Sequence, residues 1–145
     1  MKGVVITLAS IAALVPGEVK AQASWPIVYK AANVVVALDT AGAKRNSDGS
    51  YLARTRWDYT RDHLLESKKP YRQMTQTALL RCTPVRIKRL TESFYSSTGA
   101  VVREGSMPDG GEIQYMTWDR LVPRSDGSRA STGICNLLTR RDRRR

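Results

Sequence analysis

The sequence predicts a mainly β domain: a single antiparallel sheet of about five to seven strands, closed by a short C-terminal helix that one disulfide ties down. Three observations predict it. β-Branched and alternating segments are separated by glycine-containing turns. The last apolar residues, Ala130, Ile134, Leu137 and Leu138, recur at near-helical spacing. The only two cysteines, Cys82 and Cys135, each follow apolar neighbours.

The chain has 145 residues, and its first 23 read as a secretory signal peptide. Met1 and Lys2 form a short positive start, an apolar run extends from Gly3 to Leu14, Pro16 and Gly17 break it, and Ala21, Gln22 and Ala23 form a small-x-small cleavage site before Ser24. The run holds about 12 residues, well short of the roughly 20 needed to span a bilayer. The expectation is an exported protein of the periplasm, the cell surface or the medium, with no transmembrane segment in the mature chain. No cysteine stands near the cleavage site, so a lipoprotein is not expected. About 122 residues then remain, enough for one small domain and too few for two. In an oxidising compartment an even cysteine count implies a Cys82–Cys135 bridge, closing a loop of about 54 residues.

The mature chain opens with Trp25, Pro26, Ile27, Val28 and Tyr29, followed by the β-branched run Val34, Val35 and Val36, as in a buried strand. Asn46, Ser47, Asp48, Gly49 and Ser50 form a dense turn signal. Residues 51–59 then alternate: Tyr51, Ala53, Thr55, Trp57 and Tyr59 take one face, and Leu52, Arg54, Arg56 and Asp58 the other. Residues 62–70 are polar and predict a loop. Residues 71–82 place Met74, Ala78, Leu80 and Cys82 in one register, and after Thr83 and Pro84 a further strand covers 85–95. Ser96, Ser97, Thr98 and Gly99 turn the chain into a hairpin with residues 100–103. Pro108, Asp109, Gly110 and Gly111 mark another turn, and residues 113–116 suggest one more short strand. Ser125 begins the terminal helix, which two internal glycines limit to one or two turns. Residues 24–138 form the domain, and 139–145 a basic tail expected to be a mobile arm.

The order of landmarks resembles the surface-adhesin E-like family of exported proteins of Gram-negative bacteria. It consists of Trp25, Asp39 after an apolar strand, Trp57, Asp58 and Tyr59, and Tyr71 leading into Leu79, Leu80, Arg81 and Cys82. Tyr95 before Ser96 to Gly99, then Trp118, Pro123, Arg124 and Ser125, and Ile134 with Cys135, complete it. The resemblance implies a small β-rich domain with one disulfide, no catalysis, and binding of host matrix proteins. The characterised adhesin is a lipoprotein; with no cysteine near the cleavage site this chain is expected to depart from it there, and its arginine-rich tail is a second departure from the family pattern.

The formal charge is +11, from 24 Lys and Arg against 13 Asp and Glu. Arginine supplies most of it and favours phosphate, sulfate or carboxylate groups. The candidate polyanion-binding residues are Arg81, Arg86, Lys88 and Arg89 around the Cys82 turn, and Arg140, Arg141, Arg143, Arg144 and Arg145 in the tail. Partners are expected among extracellular or envelope proteins, or anionic glycans and lipids including lipopolysaccharide; a homodimer is a further possibility, and no nucleic acid is expected. His63 is the only histidine and reads as a solvated loop residue. Asp58, Asp62 and Glu66 read as salt-bridge partners of nearby arginines. No catalytic, metal or cofactor constellation emerges, and no phosphate-cradling glycine loop follows a strand into a helix. Two function classes stand: a non-enzymatic binding module and a cationic envelope-associated protein.

Overall fold

A computed structural model describes residues 25–144; the expected signal peptide and Arg145 lie outside the described residues. Seven strands form one antiparallel sheet: β1 (Ile27–Lys30), β2 (Val34–Leu38), β3 (Lys44–Arg45), β4 (Tyr51–Leu64), β5 (Pro70–Cys82), β6 (Val85–Tyr95) and β7 (Val101–Arg103). Two helices follow, α1 (Gly110–Tyr115) and α2 (Asp126–Asp142). The sheet order is β1-β2-β4-β5-β6-β7, with β3 pairing β4 beyond the end of β2. The expected class and architecture are therefore those observed.

Register explains which face is buried. Tyr51 lies opposite Leu80, Ala53 opposite Ala78, Thr55 opposite Gln76 and Trp57 opposite Met74, so the apolar sets of β4 and β5 fall on one face. On β6, Ile87 and Phe94 continue it. Helix α2 lies on that face and contributes Ala130, Ile134, Cys135 and Leu138 to the core. Buried Trp57 keeps its indole N–H satisfied by donating to Thr55 Oγ1 at 3.0 Å. The Cys82–Cys135 bridge joins the end of β5 to α2 with Cα atoms 5.5 Å apart.

Helix α2 has 17 residues, where the internal glycines suggest one or two turns. Ser125 caps its start by accepting from the Ser128 N–H at 3.1 Å. Gly133 is required by contact: a Cβ there would collide with the Val28 carbonyl oxygen of β1. Its propensity cost of about 1 kcal/mol is offset by the apolar stripe the helix buries against the sheet.

Three further expectations are corrected. Residues 62–70 are not a loop: β4 extends to Leu64 and β5 starts at Pro70, leaving a turn of 65–69 closed by Lys68 N–H to Leu65 O at 2.8 Å. Beyond Tyr59 this hairpin outruns both β2 and β6, the β4–β5 register shifts between Asp58 and His63, and Thr60, Arg61 and Asp62 are exposed in succession, so the alternation is lost. Residues 113–116 do not form a strand. They belong largely to α1, which a capping box starts: Asp109 accepts from Glu112 N–H at 2.8 Å, and Glu112 accepts from Asp109 N–H at 3.0 Å. Residues 139–142 are no mobile arm, because they complete α2.

Candidate binding surface

Alternation along β4 and β5 sends Leu52, Arg54, Arg56 and Asp58, and Gln73, Thr75, Thr77, Leu79 and Arg81, to the face opposite α2. This outer face is polar and basic. Two tryptophans flank it. Trp25, just before β1, has the Arg54 and Arg56 guanidiniums 6.0 and 5.7 Å from its ring centroid. Trp118, in the connection between α1 and α2, has Arg81 at 4.3 Å and the Lys88 ammonium at 5.1 Å. A backbone bridge between Asp119 and Ile87 fixes Trp118 against β6. Each stack places a cation on the π-face of an indole and restricts a side chain that is otherwise mobile.

The sequence-predicted cations separate under this geometry. Arg81, Arg86 and Lys88 share the outer face, since Arg86 pairs with Arg81 and Lys88 with Leu79. Arg89 lies opposite Ala78 on the helix side and pairs with Asp119 at 3.1 Å. Lys88 is only 8% exposed and donates to the Ile113 carbonyl at 3.1 Å, near the C-terminal end of α1. It is a strut that holds α1 and Trp118 onto β6 rather than a free cation.

The tail arginines are divided too. Arg141 donates to the Thr40 carbonyl at 2.8 Å and the Ala43 carbonyl at 3.1 Å, and Arg140 donates to Asn136 O at 3.2 Å. Arg143 and Arg144 are exposed at the helix end. Arg45, Asp48, Arg81 and Thr139 line a cleft of about 420 Å³ where the tail approaches the Cys82 turn. There Asp48 sits 3.7 Å from Arg81, and its carboxyl is held below its ordinary value, chiefly by hydrogen bonds from the Ser50 side chain and backbone.

His63 is placed in β4 rather than in a loop, with its ring 4.3 Å from Tyr59 and 5.7 Å from Tyr71. Tyr71 continues the cluster edge-on to Phe94 at 4.8 Å. Burial raises the Tyr59 phenol above its ordinary range. Asp58 and Asp62 pair with Arg56 and Arg72, each at 2.9 Å, as expected of salt-bridge partners. Among the described residues, no three His, Cys, Asp or Glu side chains cluster as a metal site. A smaller cleft of about 230 Å³ between the sheet and α2 includes Trp57, Met74, Gln76 and Glu92. Within it the Gln76 side-chain amide donates to Glu92 at 2.7 Å.

Sequence reasoning placed Arg54 and Arg56 outward but did not connect them with Trp25, nor Arg81 with Trp118. Both pairings depend on tertiary contact, and no spacing rule encodes them.

A comparison with curated proteins finds none that matches. A family model described as surface-adhesin protein E matches residues 25–136, from the first stacked tryptophan to just past the bridged Cys135. The family implies a binding rather than a catalytic role, and with the disulfide it points to an exported protein. No helix among the described residues is long and apolar enough to cross a membrane. The chain belongs to the surface-adhesin protein E family.

Proposed function

We propose that this protein is an exported binding module that docks an external partner, a host matrix or envelope protein, on its outer sheet face. One observation carries the reading: α2 packs on one face only, while the opposite face presents two tryptophan–arginine stacks flanking β4 and β5. Tryptophan and arginine dominate interface hot spots. Ordering them before binding lowers the entropy lost on association.

Capture experiments with the exported protein test this against matrix and envelope fractions. The double variant Trp25→Ala/Arg54→Ala is expected to weaken capture at least tenfold while the melting transition stays cooperative. Undiminished capture by a folded variant would exclude the outer face.

The cationic alternative gains one specific observation, the concentration of arginine on that same face. It loses its supposed flexible arm, because residues up to Asp142 are helical and Arg141 is bonded to backbone carbonyls.

A further inference from the structure

We infer that the outer face is a site for a linear sulfated polysaccharide, read by its two separated arginine clusters. This rests on the outer face being the binding surface and goes beyond the protein partner proposed for it by assigning that face a polysaccharide ligand.

The charge on the face is poorly compensated. Arg56 pairs with Asp58 and Arg81 approaches Asp48, but Arg54 and Arg86 have no carboxylate within ion-pair distance among the described residues. A guanidinium held over an indole ring still has N–H donors along the edge of its own plane, the geometry that engages two oxygens of one oxyanion. Arg54 lies opposite Thr77, and Arg81 follows four residues along β5. At about 3.4 Å per residue the two clusters stand roughly 14 Å apart along the strands. A single small oxyanion cannot bridge that distance. A chain bearing repeated anionic groups can.

The ground between the clusters suits a sugar: the half-buried Leu52 and Leu79, opposite each other on β4 and β5, can take the apolar face of a ring, and Thr75 and Thr77 stand beside Arg56 and Arg54. A bilayer fits less well, because none of the strongly exposed large apolar side chains falls on β4 or β5 between the clusters; Leu64, at 67%, is at the far hairpin end.

The test measures binding of the full exported chain to heparin, to chemically desulfated heparin, and to phosphatidylcholine vesicles containing phosphatidylglycerol. The pair Arg54→Gln/Arg81→Gln is compared with Arg143→Gln/Arg144→Gln, which removes equal charge at the end of α2. The outer-face pair is expected to weaken heparin binding at least tenfold, the control pair no more than twofold, and desulfation is expected to abolish binding. Should the outer-face pair lower the melting temperature, Arg86→Gln carries the same test with a several-fold loss expected. Equal losses in both pairs would reduce the effect to net charge and overturn the inference. So would binding of desulfated heparin as tight as heparin, or vesicle binding that is tighter and sensitive to the same residues. If heparin fails to bind while protein capture still depends on Trp25 and Arg54, the polysaccharide falls and the docking face stands. Heparin binding that depends on Arg54 and Arg81, with no protein captured, would support the polysaccharide site and leave the protein partner without support.

Discussion

The Tyr51 hydroxyl donates to the Asp142 carboxylate at 2.6 Å, linking the first residue of the central strand β4 to the last residue of α2. Arg45 on β3 approaches the same carboxylate at 3.7 Å, and Arg141 beside it holds two carbonyls of the segment between β2 and β3. The C-terminal turn of the helix is thus a clasp on the sheet, although its composition is that of a solvated tail.

Truncation after Thr139 removes the clasp and is expected to lower stability by about 2–4 kcal/mol, since hydrogen bonds to charged groups contribute about 1.5–3 kcal/mol each and do not add fully. Arg141→Ala alone should account for about 1–3 kcal/mol of this. Arg143→Ala and Arg144→Ala, on exposed residues, should stay within about 0.5 kcal/mol. Urea unfolding of the four proteins separates a structural clasp from a free arm.

Gly133→Ala tests whether helix propensity or packing governs α2. Propensity alone favours alanine by about 1 kcal/mol. The added Cβ, however, meets the Val28 carbonyl, a backbone group that cannot step aside without moving β1. The expected result is net destabilisation of about 1–3 kcal/mol. Gly110→Ala in α1 meets nothing within 4 Å and should be neutral or mildly stabilising. Thermal melts of the two variants should shift in opposite directions, or only the first should shift.

Removing the Cys82–Cys135 bridge frees a loop that spans 53 positions of the sequence. Loop-closure entropy then predicts a loss of about 4 kcal/mol, a large part of a small domain's total stability. The Cys82→Ala/Cys135→Ala protein is expected to melt more than 10 °C lower, on the order of the shift such a loss produces in a domain of this size. A melting temperature unchanged by reductant in the wild-type protein would contradict this.

What could be read in the sequence follows the physics of each element. β4 through Tyr59, β5 and β6 were legible because each has one buried face, and burial writes a period of two into residues such as Ala53, Thr55 and Trp57. The same strand became illegible after Tyr59, where no neighbouring strand flanks the hairpin and Arg61 and Asp62 are both exposed. Helix α1 buries none of its residues, so it carries no periodic signal; the spacing of Asp109 and Glu112 was the mark that could have located it. The full length of α2 was hidden by Gly133, whose role is contact with β1 and not local conformation. Of the candidate site, the outward arginines were visible and their tryptophan partners were not. Trp25 and Arg54 are far apart in sequence and meet only once β1 and β2 are laid beside β4.

Alkaline pH provides the last test, through the tyrosines of the helix-covered face and its hairpin. Tyr59 has its phenol raised above the ordinary value of 10.0, first by burial and then by Tyr71 and the acidic Glu92 and Asp126. Tyr51 is raised by burial and by its bond to Asp142, and Tyr71 by burial and Glu92. A group whose folded pKa lies above its unfolded value keeps its proton in the native state where the unfolded chain would lose it. Its contribution to stability is therefore complete below about pH 10. It is lost progressively as pH rises from there toward the folded value. Stability should be flat in this respect through neutral pH and fall as pH rises above about 10, with several degrees lost in melting temperature. Tyr59→Phe keeps the ring beside His63 and Tyr71 and removes the ionisable proton. Its stability at pH 7 should be close to wild type, while its decline above pH 10 should be shallower. An alkaline limb identical to wild type would show that Tyr59 ionises as readily in the folded protein as in the unfolded chain, and that the aromatic cluster at the hairpin does not shield it.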